Sequence, residues 1–231
     1  MAERNGNGVA SMQIIALAPP HAAAAARLHI AGQPDTFLTS LGPALLTTIY
    51  SALPQSTAGF GFVALSDGPV PATSVQSASV VGFVSATTST GRLFLELGTR
   101  HLPAFVPALL RRFAQQPRLL LHCVQTVLYP LLHTSANTSA AAAELLSIMV
   151  EPTWRSQGVG TQLVEQLVAA CRARQIPALD VTVAVANQAA QRFYVRHGFV
   201  EHGTFQLYGR PMYRYRLAIP AKRSIISLPN Q

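Results

Sequence analysis

The chain has 231 residues, of which 49% are hydrophobic and 11% charged, a balance that suits one domain with a buried core and excludes a disordered chain. Its apolar runs, such as Leu119–Leu121 and Ala141–Ala143, are far too short to cross a bilayer, and Met1–Met12 lacks the pattern of a secretory signal, so a cytoplasmic chain is expected. The net charge of +8 is uneven: from Arg155 onward ten basic residues face only Glu165, Asp180 and Glu201, a field that favours an anionic partner.

In chain order, Ala2–Ser11 is polar and glycine-bearing, which reads as a tail over 1–11, a single domain over 12–219 and a second tail over 220–231. Met12–Leu17 is a first strand ended by Pro19-Pro20, and Ala22–Ala31 an alanine-rich helix with Gly32 expected as its C-cap. A second helical stretch runs from Phe37 to Leu53, broken at Gly42-Pro43. Phe60–Leu65 and Val80–Thr87 read as paired strands, with Asp67-Gly68 and Pro71 in the connection, and Arg92–Leu97 as a further strand. Two helical segments are expected between Leu102 and His133, then a small-residue connection from Asn137 to Ala143. Glu144–Val150 is a buried-type strand, Gly160–Gln175 a helix, Ala178–Val185 a strand and Ala189–His197 a short helix closed by Gly198. Thr204–Tyr208 and Met212–Ile219 form a hairpin around Gly209-Arg210-Pro211. The sum is an α+β domain with a mixed, mostly antiparallel sheet and helices on both faces.

Nucleic acid is one anionic partner to consider, but no RNP, zinc-finger or basic-helix pattern supports it. A polyanionic small molecule explains the charge equally well. The stretch from Ser147 to Cys171 runs strand, glycine-containing turn, then a helix whose apolar stripe is Leu163, Val164, Leu167, Val168 and Cys171. Gly158 and Gly160 remove side chains where a ligand must approach the backbone. The unpaired N–H groups of the helix's first turn, with the positive dipole end behind them, suit a phosphate, and Arg155 adds a fixed cation. G-x-x-x-x-G-K-[ST] fails because the only lysine is Lys222, and G-x-G-x-x-G fails because Leu163 stands where its third glycine belongs. What remains is [Q/R]-x-x-G-x-[G/A], on Arg155, Gly158 and Gly160.

A second signal follows the next strand: Asn187, Ala190, Phe193, Tyr194, Gly198 and Phe199 in N-x-x-A-x-x-F-Y-x-x-x-G-F. Asn187 can cap the helix, and Ala190, Phe193 and Tyr194 share one face of it. In these two segments the sequence resembles the GNAT superfamily of N-acetyltransferases, specifically across about Glu144–Leu217 and more loosely before it.

The resemblance implies the GNAT fold, in which two neighbouring parallel strands, here Glu144–Val150 and Ala178–Val185, splay apart to admit the pantetheine arm of acetyl-coenzyme A, the cosubstrate. It further implies backbone pairing of Ile148, Met149 and Val150 with the pantetheine amides, and enclosure of the pyrophosphate by Arg155, Gln157, Gly158, Val159, Gly160 and Thr161. Asn187 would bond the pantetheine region. The implied reaction is direct attack of a neutral primary amine on the thioester, which needs a base, an oxyanion donor and an acid for the thiolate. Tyr194 would be the acid, a backbone N–H at Met149 or Val150 the oxyanion donor, and Glu144 a candidate base, with ordered water the alternative. Glu151, Glu96 and Asp35 are lesser candidates, Glu151 more as a residue that ends the strand.

Cys123 and Cys171 match no disulfide or zinc spacing and read as buried thiols. None of the histidines forms a metal pattern, so no metal is expected; His122 reads as buried and His197 as an aid to a helix C-terminus. The acceptor is a small-molecule or peptide amine bound by the parts least like the family, and a homodimer stays open. The rival reading is an inactive acyl-coenzyme A-binding sensor or scaffold.

Overall fold

The computed structural model describes residues 12–34, 36–66, 79–99, 142–207 and 209–220. The expected N-terminal tail, the C-terminal one beyond Pro220, Asp35, Asp67, Cys123, His122 and the helices between Leu102 and His133 lie outside them. Seven strands form one sheet: β1 (Met12–Ala16), β2 (Gly59–Ser66), β3 (Ser79–Thr87), β4 (Ala142–Val150), β5 (Ala178–Ala184), β6 (Val200–Leu207) and β7 (Arg210–Ala218), in the order β1-β2-β3-β4-β5-β7-β6. Only β4 and β5 are parallel neighbours; the other pairs are antiparallel, as the sequence predicts.

Helices cover both faces. On one lie α1 (Ala22–Gly32), the single turn α2 (Phe37–Ser40), α3 (Pro43–Ala52) and α4 (residues 90–99). Their Ala25, Ala26, Leu28, Leu45, Leu46, Leu93 and Leu97 form a core with Val63, Phe83 and Met149 of the sheet. On the other lie α5 (Val159–Ala173) and α6 (Gln188–Arg196), whose Leu163, Leu167, Cys171 and Tyr194 pack on Val84, Leu145, Leu179, Val181 and Tyr215. Cys171 is a free, buried thiol, and burial pushes it up to about 11, in keeping with an inert core residue.

Two expectations are corrected. Arg92–Leu97 is helical, because Leu93 and Leu97, 2% and 5% exposed, recur at i and i+4 while Leu95 stays 68% exposed. Ser89 starts this helix, its Oγ accepting from the Arg92 N–H at 3.3 Å. Gly32 is the last residue of α1 and Gln33 its C-cap. The glycine answers a steric demand: a Cβ there would stand 2.5 Å from the Met149 sulfur, so its absence lets α1 lie against β4.

One buried polar cluster interrupts the core under α1 and α3. His29, fully buried, shares a 2.6 Å hydrogen bond with the Tyr50 hydroxyl through Nδ1, and Ser147 Oγ on β4 lies 3.5 Å from the same nitrogen. Nε2 of His29 and Oγ of Ser85, the cross-strand partner of Ser147, are buried with no partner among the described residues. Burial lowers His29 from 6.5 to about 4, so the fold holds it neutral while the unfolded chain protonates it below its ordinary value. Its contribution to stability is therefore intact above pH 6.5 and drains away as pH falls towards 4, by on the order of 3 kcal/mol at most. Urea titrations over this range are expected to show that loss and to show a flatter profile for His29→Gln; equal slopes for both proteins would contradict it.

Candidate functional site

The site is organised by an irregularity in β4. Against β3, Ser147 pairs with Ser85 and Leu145 with Ala86, so Leu146 is an extra residue, a β-bulge. The bulge exchanges the faces of the strand: Ala143 and Leu145 pack on the α5 side before it, Ile148 and Val150 after it. At the same point the parallel ladder to β5 stops, its last pair being Leu145 with Val181, although β4 runs on to Val150 and β5 to Ala184. The two strands thus part company from Leu146 onward.

Which backbone groups line that gap follows from the ladder on the other edge. The Glu151 N–H donates to the Val81 carbonyl at 2.8 Å, which makes Val150 and Gly82 a non-hydrogen-bonded pair. By alternation the Met149 backbone groups are taken by Phe83, and those of Ile148 and Val150 point towards β5. The expectation that all three backbones serve a ligand is therefore narrowed to Ile148 and Val150. Met149 contributes its side chain to the core beside α1 instead.

At the mouth of the gap the chain makes a one-turn 3-10 helix, Pro152–Trp154, and a tight turn into α5. Arg155 Nε donates to the Val150 carbonyl at 3.1 Å, tying the turn to the end of β4. Gln157 Nε2 donates to the Thr153 carbonyl at 2.7 Å. Ser156 and Gly158 both have positive φ, +61° and +82°, and Gly158 is the N-cap of α5. The first intrahelical bond runs from the Gln162 N–H to the Gly158 carbonyl, so the N–H groups of Val159, Gly160 and Thr161 precede it, and no acidic residue stands in the first turn. Free N–H groups at the positive end of a helix dipole suit an anion.

The two glycines serve different ends. Around Gly158 nothing lies within 4 Å of a Cβ, so the residue is required by its backbone angle; at Gly160 a Cβ would press on the Phe193 ring at 3.3 Å. Gly160 therefore admits α6 against α5, a demand distinct from the ligand approach that the sequence suggested.

Asn187 caps α6, its Oδ1 accepting from the Ala190 N–H at 3.1 Å. Gln191 Nε2 donates to the carbonyls of Ala184 and Val185 at 3.3 and 2.7 Å and fastens the helix to the end of β5. Tyr194 is buried with edge-on contacts to Phe193 and Phe199 at centroid distances of 5.4 and 5.2 Å. Desolvation raises its phenol well above the ordinary range, so at neutral pH it is protonated and has a hydrogen to donate. His197 closes the helix, as expected, with Nδ1–H donating to the Phe193 carbonyl at 2.7 Å.

Glu144 lies two residues before the bulge, and alternation puts it on the face opposite Leu145, the α4 side. Thr90 at the start of α4 donates to Glu144 Oε2 at 2.6 Å. Burial raises the carboxyl's affinity for a proton, opposed by the Thr90 hydrogen bond and by Arg214 and reinforced by Asp180. Asp180 is the register partner of Glu144 on β5 and forms a bidentate pair with Arg216 of β7, at 2.6 and 2.7 Å. The pair raises Arg216, whose side chain is 18% exposed. Asp180, Arg216 and Thr90 escaped the sequence reading; a lone acid in the apolar run Leu179–Val183 was the signal available for the first. Glu96, by contrast, holds the chain before β2, accepting from the Thr57 N–H and hydroxyl at 3.1 and 2.7 Å, and Glu151 ends β4.

Among the described residues no group of three or more His, Cys, Asp or Glu can hold a metal, and no helix is long and apolar enough to cross a membrane. The conformational role of Gly158 is checked by paired substitutions: Gly158→Asn, which tolerates positive φ, should cost little, and Gly158→Val about 1–2 kcal/mol in denaturant unfolding. Equal costs would show that the angle is not what selects glycine.

Residues 126–199 match the acetyltransferase (GNAT) family model. No curated protein matches the chain. Among solved structures, the fold superposes on Arabidopsis thaliana NAA60 in complex with acetyl-CoA, with a TM-score of 0.57 at 12% identity over 90% of this chain and 99% of that one. It also superposes on Ard1 from Thermoplasma volcanium, with a TM-score of 0.55 at 16% identity over 90% and 98% of the two chains. The ribosomal-protein-S18-alanine N-acetyltransferase from Escherichia coli gives 0.52 at 16% identity over 94% and 99%. The chain therefore has the GNAT acetyltransferase fold, and the segment that carries its β4 turn and α6 is the one the GNAT family model recognises.

Proposed function

We propose that the protein transfers the acetyl group of acetyl-coenzyme A to a primary amine by direct attack on the thioester. The observation that carries the reading is the gap beyond Leu145 and Val181, with outward-facing backbone groups on β4 and an anion-accepting helix start at its mouth. An extended amide-bearing arm fits the first as an added strand, and a pyrophosphate fits the second. Arg155, Gln157, Gly158, Val159, Gly160 and Thr161 enclose the pyrophosphate. Ile148 and Val150 pair with the pantetheine amides, and the Nδ2 of Asn187, left over from its capping bond, donates to the same arm.

The cosubstrate supplies an activated acyl group; the chain supplies orientation and proton traffic. A backbone N–H facing the gap, at Val150 or Ile148, stabilises the oxyanion as the thioester carbon becomes tetrahedral. Tyr194, on the α5 side of the sheet, gives its hydrogen to the departing thiolate. Glu144, on the opposite side, takes the proton of the incoming ammonium, directly or through water, and its raised proton affinity brings it nearer to that task at neutral pH. The acceptor then approaches from the face of α1, α2 and α4, where Asp180 and Arg216 add a fixed ion pair. One of the superposed enzymes, the ribosomal-protein-S18-alanine N-acetyltransferase, is named for a protein amine, which supports a peptide or protein amine within the class of acceptors, and NAA60 is in complex with acetyl-CoA.

Thiol release from acetyl-coenzyme A over a panel of peptide and small primary amines tests the reading. Arg155→Glu should raise the KM for acetyl-coenzyme A at least tenfold, about 1.4 kcal/mol, with a smaller effect on kcat. Tyr194→Phe should lower kcat by roughly 10²-fold with little change in KM. The acid limb of the kcat/KM profile should fall as Glu144 becomes protonated and flatten in Glu144→Gln. Tight cofactor binding without turnover on any amine, and no loss in Tyr194→Phe, would favour a sensor instead.

A further inference from the structure

Beside the cradle stands a hydrogen-bonded pair that the proposed reaction leaves unused. His197 Nδ1 is 2.7 Å from the Phe193 carbonyl and its Nε2 is 3.1 Å from Thr161 Oγ1. A carbonyl only accepts, so Nδ1 must carry a hydrogen. While the ring is neutral Nε2 is then a bare lone pair, and the Thr161 hydroxyl must donate to it. A phosphate oxygen also only accepts. Thr161 has one hydroxyl hydrogen, and it cannot be given to the imidazole and to a phosphate together.

One proton resolves the conflict. As an imidazolium, His197 donates from both nitrogens, Nε2–H to the Thr161 oxygen, and the Thr161 hydrogen turns outward to the anion. We propose that His197 takes up a proton from solvent when the pyrophosphate of acetyl-coenzyme A binds, forming a His197–Thr161–phosphate relay that makes cofactor affinity rise as pH falls. The step forms one N–H bond on Nε2 and breaks no bond in the cofactor. It rests on the acetyl-coenzyme A reading above.

The surroundings hold the pair in place. The Phe193 ring lies 4.3 Å from the His197 ring, centroid to centroid, and fills the space left by the absent side chain of Gly160. The imidazole touches α5 and its own helix. Charged groups on those elements are Glu165, one turn beyond Thr161, and Arg172 in the last turn of α5, with Arg192 and Arg196 ahead of His197 on α6; Arg155 stands in the adjoining turn. None of these forms an ion pair with His197 among the described residues, so the incoming anion is the partner that decides its charge.

Calorimetric titration of the full chain with acetyl-coenzyme A, at pH 7 in two buffers of different ionisation enthalpy, reads the proton directly. The wild type should take up a substantial fraction of one proton more than His197→Asn, which keeps a donor towards Phe193 and lacks the second nitrogen. Wild-type affinity should rise on acidification by up to about tenfold per pH unit, and that of His197→Asn should follow a flatter line. Thr161→Val should also lose the extra proton. Because the cofactor's 3′-phosphate can exchange protons too, the same difference should persist with 3′-dephospho-acetyl-coenzyme A. Binding with equal proton uptake in wild type and His197→Asn would overturn the relay while leaving the cofactor reading standing. Failure of acetyl-coenzyme A to bind the wild type at all would overturn both.

Discussion

The arrangement of the site depends on one extra residue, Leu146, in β4. A parallel pair of neighbouring strands ordinarily hydrogen-bonds along its shared length, and β4 and β5 overlap for long enough to do so. The bulge bends β4 and turns its side chains over, and the ladder to β5 ends at the residue before it. Backbone donors and acceptors that would have closed the sheet are left facing a gap. Unpaired backbone groups are costly when buried, so a gap of this kind persists where something else, solvent or ligand, satisfies them.

Several interactions keep the gap from collapsing. On the α1 side the cluster of His29, Tyr50 and Ser147 grips β4 just after the bulge, and the side chain of Met149 seats against the bare Cα of Gly32. At the mouth Arg155 holds the Val150 carbonyl. On the far side Gln191 ties α6 to the last carbonyls of β5, and Asp180 and Arg216 bind β5 to β7. The sheet thereby separates two chemical environments: a phenol whose proton affinity is raised by burial on one face, a carboxyl with raised proton affinity on the other. On the proposed reaction this puts the acid with the leaving thiol and the base with the incoming amine.

Much of this was legible from residue types. The turn after β4 and the cap at Asn187 are local features, fixed by glycine, arginine and asparagine at set spacings, and they stand where the sequence put them. The bulge was not legible, because A-A-E-L-L-S-I-M-V reads equally as a straight buried strand; only pairing with β3 reveals which residue is surplus. The same holds for Ile148 and Val150 against Met149, a distinction set by hydrogen-bond parity across two strands. Arg92–Leu97 misled because R-L-F-L-E-L satisfies a two-residue alternation as well as an i, i+4 repeat, and tertiary burial of Leu93 and Leu97 decided for helix. Asp180, Thr90 and the Thr161–His197 contact join residues 36 or more positions from their partners, or across elements, and no local pattern announces such pairs.

The backbone of the gap offers the most direct examination of the account. Amide hydrogen exchange of an isotopically labelled sample, followed by NMR with and without acetyl-coenzyme A, reports each strand residue separately. Acetyl-coenzyme A should slow exchange at Ile148 or Val150, whose N–H groups face the gap, while Met149, already paired with Phe83, is protected in both states. Unchanged exchange at both Ile148 and Val150 under saturating acetyl-coenzyme A would contradict the claim that the gap opened by the bulge is where the cofactor binds.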